Sequence, residues 1–432
     1  MTRRTLFFRI GLVWIFLFTL TAGERMVGAA EAKKGDSVPD RWVFIGNYSS
    51  DPTPEMVENH LGKAQGIYVA DYDSKTGRVG TDVRLVHEME SPNFLALSPN
   101  KQFLYAISGP EIHSFKIDSG TGNLTLINKV KTEGAAGYCH VAVSPDGGVL
   151  GAADYPAGLF DFYRLNPDGS IGEHADRFDK FGSGPDARRQ KAPFGHAVYF
   201  VGGDDGVLRA FLVDLGSDRV SIVDVDPKTG KIVPDPDIPE LKVPAGHGSR
   251  HLAWHRNDDG SLDVFVNNEL TSTVTFFRVK FGAGADGLTD FGTVSTLPAE
   301  FDGKVDWEQA VVDADENLTL MNSTAETAYR PGRDGNPPTV YVSNRGHDSI
   351  AVFKVVKDGG RESLQPIQFQ STFGSAPRYF EIDETGDHLI VCNKRSGSIF
   401  SFNIAADGTL TKADFAPVRT PWPVTMVFIP KE

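Results

Sequence analysis

Short apolar runs broken by polar turns recur along almost the whole chain, as in FLYAIS (103–108) and VTFFRV (274–279). Alternation with a period of two is the pattern of a strand that buries one face. The 3.6-residue spacing of an amphipathic helix is absent. Turns rich in Asp, Asn and Gly separate the runs and suit tight hairpins. The pattern predicts an all-β protein.

The runs also repeat as a group. Units beginning near Ser91, Tyr138, Phe194, Ser249 and Ala376 each read as strand, turn, strand ending in Asn or Asp, brief loop, strand, and a further turn. The anchors Asn93, His140, His196, Arg250 and Arg378 are spaced by 47, 56, 54 and 128 residues. The last interval is about twice the others and hides one more unit around YVSNRGHDSIAVFKV (341–355). WVFIGNY and GIYVADYDSKTGRV near the start lack a first strand, and WPVTMVFIP at the end is a first strand without the rest. Together they complete one unit. Repeats of this size are blades. The expectation is a single seven-bladed β-propeller over 33–432, its ring closed by N-terminal strands pairing with the C-terminal strand, which leaves no open sheet edge. Residues 301–338 are polar and poorly patterned, and are expected to decorate blade six as a loop insertion.

In an antiparallel hairpin, the start of the first strand and the end of the second lie at the same end of the sheet. Every blade therefore sends those residues to one mouth of the central channel. First-strand starts supply His140, His196, Arg250, His251 and Arg378. Second-strand ends supply Asn47, Asp154, Asp214, Asn268 with Glu269, Asn344 with Arg345, and Asn393 with Lys394. Arg345, in the turn RGHD, is thereby expected to point toward a shared pocket rather than bulk solvent. The sharpest group is His196, Arg250, Glu269 and Arg345. It can be read as catalytic or as a buried ion-pair network that stiffens the ring. The Asn and Asp positions can equally hold loop backbone.

Composition narrows the partners. The 432 residues carry a net charge of −14. Arg3, Arg4 and Arg9 precede the apolar stretch IGLVWIFLFTLTAG and small residues ending near Ala30 and Ala32, the layout of an export signal over 1–32. Losing its four arginines and two glutamates takes the charge to −16. So acidic a surface disfavours nucleic acid and anionic membranes as partners. A monomer in the periplasm or outside the cell is expected, with no membrane association after cleavage. Cys139 and Cys392 have no CxxC spacing and are expected as thiols. DADENL (313–318) lacks the glycine of a calcium loop, so no metal and no cofactor are expected.

The chain resembles the seven-bladed β-propeller lactonase family, which includes 6-phosphogluconolactonases and carboxy-muconate cyclase. The resemblance rests on FIGNYSS, SPNFLALSPNKQFLYA, YCHVAVSPDG, DYPAG, GSGP followed by Arg189-Gln190, FGHAV, GSRHLAWH, NNELTSTV, SNRGHDSIAVF and APRYFEID. Phe194 and Asp154 depart from the family's usual residues. By motif, the resemblance implies His196, Arg250, Glu269 and Arg345 as the catalytic group. The expected substrate is a sugar-acid or related organic lactone, opened by acid–base chemistry, with His140, Asp214, His251, Asn268, His347 and Arg378 as substrate contacts. A lactonising isomerase and a non-catalytic binding platform are the alternatives.

Overall fold

The computed structural model describes residues 38–179, 182–203, 205–301, 310–312, 318–320 and 322–432. The export signal read over 1–32 lies outside them. Residues 38–432 form one unit, built as seven antiparallel blade sheets around a channel, besides a two-stranded sheet of Ala310–Val312 with Leu318–Leu320. From the channel outward, blade two runs Phe94–Leu97, Phe103–Ser108, Glu111–Asp118 and Asn123–Lys131. Blades three, four and five start at Tyr138–Val143, Gly195–Gly202 and Ser249–Arg256, and blade seven at Pro377–Ile382. Blade one takes its innermost strand, Pro423–Pro430, from the C-terminus and its next, Arg41–Asn47, from the N-terminus. Neighbouring innermost strands touch all the way round, so the ring is closed as expected.

Blade six differs from the sequence expectation. Its innermost strand, Ser323–Arg330, lies inside the stretch read as a loop insertion. The sequence STAETAYR hides it because the strand faces a polar channel and carries small and hydroxyl side chains in place of an apolar alternation. A second difference concerns burial. FLYAIS and VTFFRV were read as half-buried, yet four consecutive residues of each are buried. Blades stack face to face, so inner strands are covered on both sides, while the outermost strands are mostly exposed or half-buried. The core is accordingly the set of seams between blades, such as Phe160 and Phe162 of blade three against Val198 and Phe200 of blade four. Both cysteines are free thiols, Cys392 buried and Cys139 only partly so.

Candidate active site

In blades one, three, four, five, six and seven the innermost strand shifts register against its neighbour just where it enters the channel. Such bulges insert one residue and re-aim its side chain. The residue between the register pairs is His196 in blade four and Arg378 in blade seven. In blade five Arg250 and His251 together oppose one residue, as do Ala325 and Glu326 in blade six. The second-strand ends meet these from the side: Glu269 follows Asn268, and Arg345 closes Thr339–Arg345.

Three of the four residues singled out by hairpin geometry converge on the carboxylate of the fourth, Glu269. Oε2 of Glu269 accepts from Arg250 Nε at 2.9 Å and Arg345 Nη2 at 2.9 Å, and lies 3.9 Å from His196 Nε2. Arg189, quoted above only within a motif, donates from Nη2 to Oε1 at 2.6 Å. All but Arg189 are buried. Arg250 also donates to Ala325 O, and Arg345 to Thr324 O at 2.8 Å, so blade six's innermost strand holds both guanidiniums. Burial alone would raise the Glu269 carboxyl, but Arg345, Arg189 and Arg250 override it and hold it well below the usual carboxylate range. Burial, with Arg250 adding to it, pushes His196 well below the ordinary imidazole value, so it is neutral at neutral pH. Burial lowers Arg345 to about 10, which leaves it charged. Within this cluster Arg345 Nε and His196 Nδ1 are buried without a partner, two of fifteen such side-chain atoms among the described residues.

Beneath this cluster the channel carries a second layer. The His251 ring lies 5.1 Å from that of His196 and 5.3 Å from that of His140, and its Nδ1 is 3.0 Å from Glu326. Burial raises Glu326 to about 7. His140 packs on Phe94 and Tyr199 and lines, with Glu326, Tyr379 and Glu381, a cavity of about 340 Å³. Arg378 donates to Val424 O at 3.3 Å and sits over the Tyr48 ring. Lys394 is pulled down to about 7 by burial and by the arginines.

The remaining candidates bond to groups of their own blades. Asp214 accepts from the backbone N–H of Phe194 at 2.6 Å and of Gly216 at 3.0 Å. Asn268 donates to Thr273 and Thr275 within blade five. His347 pairs with Ser349 and lies against Phe301, and no bond joins it to the cluster. The wider Asn and Asp ring behaves the same way: Asp154 holds the N–H groups of Ala136 and Gly137, Asn344 reaches Thr296 O, and Asn393 reaches Thr372 O. Each ties its blade to a loop segment at the same mouth. Hairpin geometry did not find Arg189 because it comes from a connection between blades, nor Glu326 because its strand was unreadable. For Arg189 the Arg-Gln pair after GSGP was the available signal. Phe194, the departure from the family pattern, stacks on Tyr155 at 4.9 Å, and Tyr155 meets the His196 ring edge-on at 5.4 Å.

A family model described as Lactonase, 7-bladed beta-propeller, matches residues 42–428. The chain belongs to that family. It is 26% identical to the 6-phosphogluconolactonase of Bacillus subtilis over 373 residues, covering 85% of this chain and 95% of that one. To the 6-phosphogluconolactonase of Formosa agariphila it is 28% identical over 371 residues, covering 83% and 91%. The crystal structure of a Lactobacillus plantarum protein superposes with a TM-score of 0.72 at 27% identity, covering 90% of this chain and 99% of that one.

Proposed function

We propose that the protein hydrolyses a sugar-acid or related organic lactone at the His196, Arg250, Glu269 and Arg345 cluster, using its own side chains as acid and base. The observation that carries this reading is the unpaired Arg345 Nε. An N–H left buried and unbonded costs about 1–3 kcal/mol, and a donor kept free beside a neutral imidazole and a carboxylate suits a transient oxyanion. The gap of 3.9 Å between His196 Nε2 and Glu269 Oε2 lets one water bond to both. Glu269 is a weak base because its charge is shared among guanidiniums. His196, with its proton on Nδ1, takes a proton from that water through Nε2 as the water attacks the lactone carbonyl. Arg345 and Arg250 stabilise the oxyanion, and the Nε2 proton then passes to the departing ring oxygen. The scheme calls for no metal, and among the described residues no cluster of His, Cys, Asp and Glu is arranged to hold one.

The export signal supports action outside the cytoplasm, on an aldonolactone or other organic lactone, by a monomeric enzyme. Among the described residues no helix is long and apolar enough to cross a membrane. The test is a hydrolysis screen of the purified protein against sugar and aromatic-derived lactones, with and without chelator. Turnover of at least one class, unchanged by chelator, is expected. No turnover of any would remove the reading. A fall in kcat/KM on the acid side with an apparent pKa below 6.5 is also expected, since kcat/KM reports the free enzyme and His196 is depressed.

A further inference from the structure

The far half of the channel holds acid without a matching base. Its cavity of about 340 Å³ runs along Glu326 to Tyr329 and Tyr379 to Ile382, the parts of those strands that lead away from the entry bulges. A layer of rings parts it from the Glu269 cluster. His251 meets His196 on one side and, at 6.0 Å and 5.3 Å, Phe94 and His140 on the other. Phe94, His140, Tyr199 and Tyr379 wall the cavity, and two carboxyl groups line it from neighbouring blades, Glu326 of blade six and Glu381 of blade seven. Neither has a lysine or arginine at ion-pair distance among the described residues. Glu326 accepts from His251 Nδ1 and from the Thr327 N–H, both at 3.0 Å, and Glu381 from the Tyr379 hydroxyl at 2.5 Å. His251 brings no charge, because burial holds its imidazole well below the ordinary value. Thr327, buried and also on the wall, has a hydroxyl with no partner among the described residues.

We infer that this cavity binds a small organic ammonium ion, its charge set between the Glu326 and Glu381 carboxylates and its carbon atoms against the aromatic walls. Taking a carboxylate out of water without a counter-charge is costly. Burial accordingly raises both carboxyls to about 7, and each escapes the cost by holding a proton. A bound cation supplies the counter-charge in place of those protons. The rings decide which kind of cation. Aromatic faces attract an ammonium group through the ring quadrupole, and more strongly where water is excluded. A cavity of this size also leaves a bare metal ion far from most of its walls. The unpaired Thr327 hydroxyl adds an acceptor for an ammonium N–H or for a hydroxyl carried by the ligand. The site asks nothing of the lactone chemistry and stands apart from that reading.

Calorimetry of the purified protein tests this with choline against dimethylbutanol and ethanolamine against propanol, pairs in which carbon replaces the charged nitrogen. At least one ammonium ion is expected to bind roughly tenfold or more tightly than its uncharged counterpart, the factor that a desolvated cation–ring contact supplies. Glu326→Gln and Glu381→Gln keep the shape of the cavity and are each expected to weaken that binding about tenfold, with the unfolding midpoint followed for both variants. No saturable binding of either ion at millimolar concentration overturns the assignment. So does equal affinity for each ion and its counterpart, or binding that survives both substitutions. Displacement of the bound ion by a lower concentration of calcium would make this an inorganic cation site and overturn it as well.

Discussion

At the scale of single residues the site is lopsided: one buried acid balances three buried or half-buried cations. Removing the acid and removing one cation therefore have unlike consequences. Glu269→Gln leaves three guanidiniums facing one another and is expected to cost about 3–5 kcal/mol of stability, the range for a buried charge that loses its partner, read from urea unfolding. Arg345→Gln leaves Glu269 paired twice over and should cost less than half as much. Glu326 offers a separate test through pH. Burial raises its carboxyl in the folded protein to about 7 from 4.5, so the folded state binds the extra proton between those values. Its stabilising contribution is complete below about pH 4.5 and is lost as pH rises through 7. Wild type is thus expected to lose about 3 kcal/mol relative to Glu326→Gln between pH 4.5 and 8; a difference that does not move with pH would contradict the burial argument. Hairpin geometry located His196, Arg250, Glu269 and Arg345 because strand ends have a fixed spatial meaning. The same rule does not say whether a side chain turns to the channel or back to its own loop, and Asp214 and Asn268 bond to groups of their own blade.

Among elements, the entry bulges and the 182–193 connection do most to shape the pocket. A strand without the extra residue could not present Arg250 and His251 together opposite Asn267. No run of residues announces a bulge, because it depends on pairing between strands and not on either strand's own pattern. The innermost strand of blade six was obscured for the opposite reason: its residues obey the channel, whose polarity erases the apolar period that made the other strands readable. Gln190→Ala removes the amide that ties the Arg189 loop to blade four. It is expected to raise hydrogen exchange across residues 182–192 and to cost about 1–3 kcal/mol for the lost bonds to Leu215 O and Asp218, although Asp218 keeps the N–H groups of Gly246 and Gly248. Exchange indistinguishable from wild type would show that the loop is held by something else.

For the molecule as a whole, the repeat was the most legible feature, and the ring followed from counting its units and joining the two end fragments. Pairing of Arg41–Asn47 with Pro423–Pro430 puts the chain ends in one sheet, so stability depends on the C-terminal strand. A chain cut before Pro423 leaves the edge of Arg41–Asn47 unpaired and is expected to be recovered as aggregate, whereas intact protein stays soluble under the same expression conditions. What the ring achieves is convergence: residues 149 positions apart, His196 and Arg345, reach the same carboxylate. Whether that convergence is chemistry or only scaffolding is decided most directly by Arg345→Ala, assayed for lactone hydrolysis and thermal unfolding side by side. Catalysis at this cluster requires a loss of about 10²–10³ in kcat, the range for removing one oxyanion donor, with little change in melting temperature. Retained turnover accompanied by a lowered melting temperature would mean that the cluster only braces the ring.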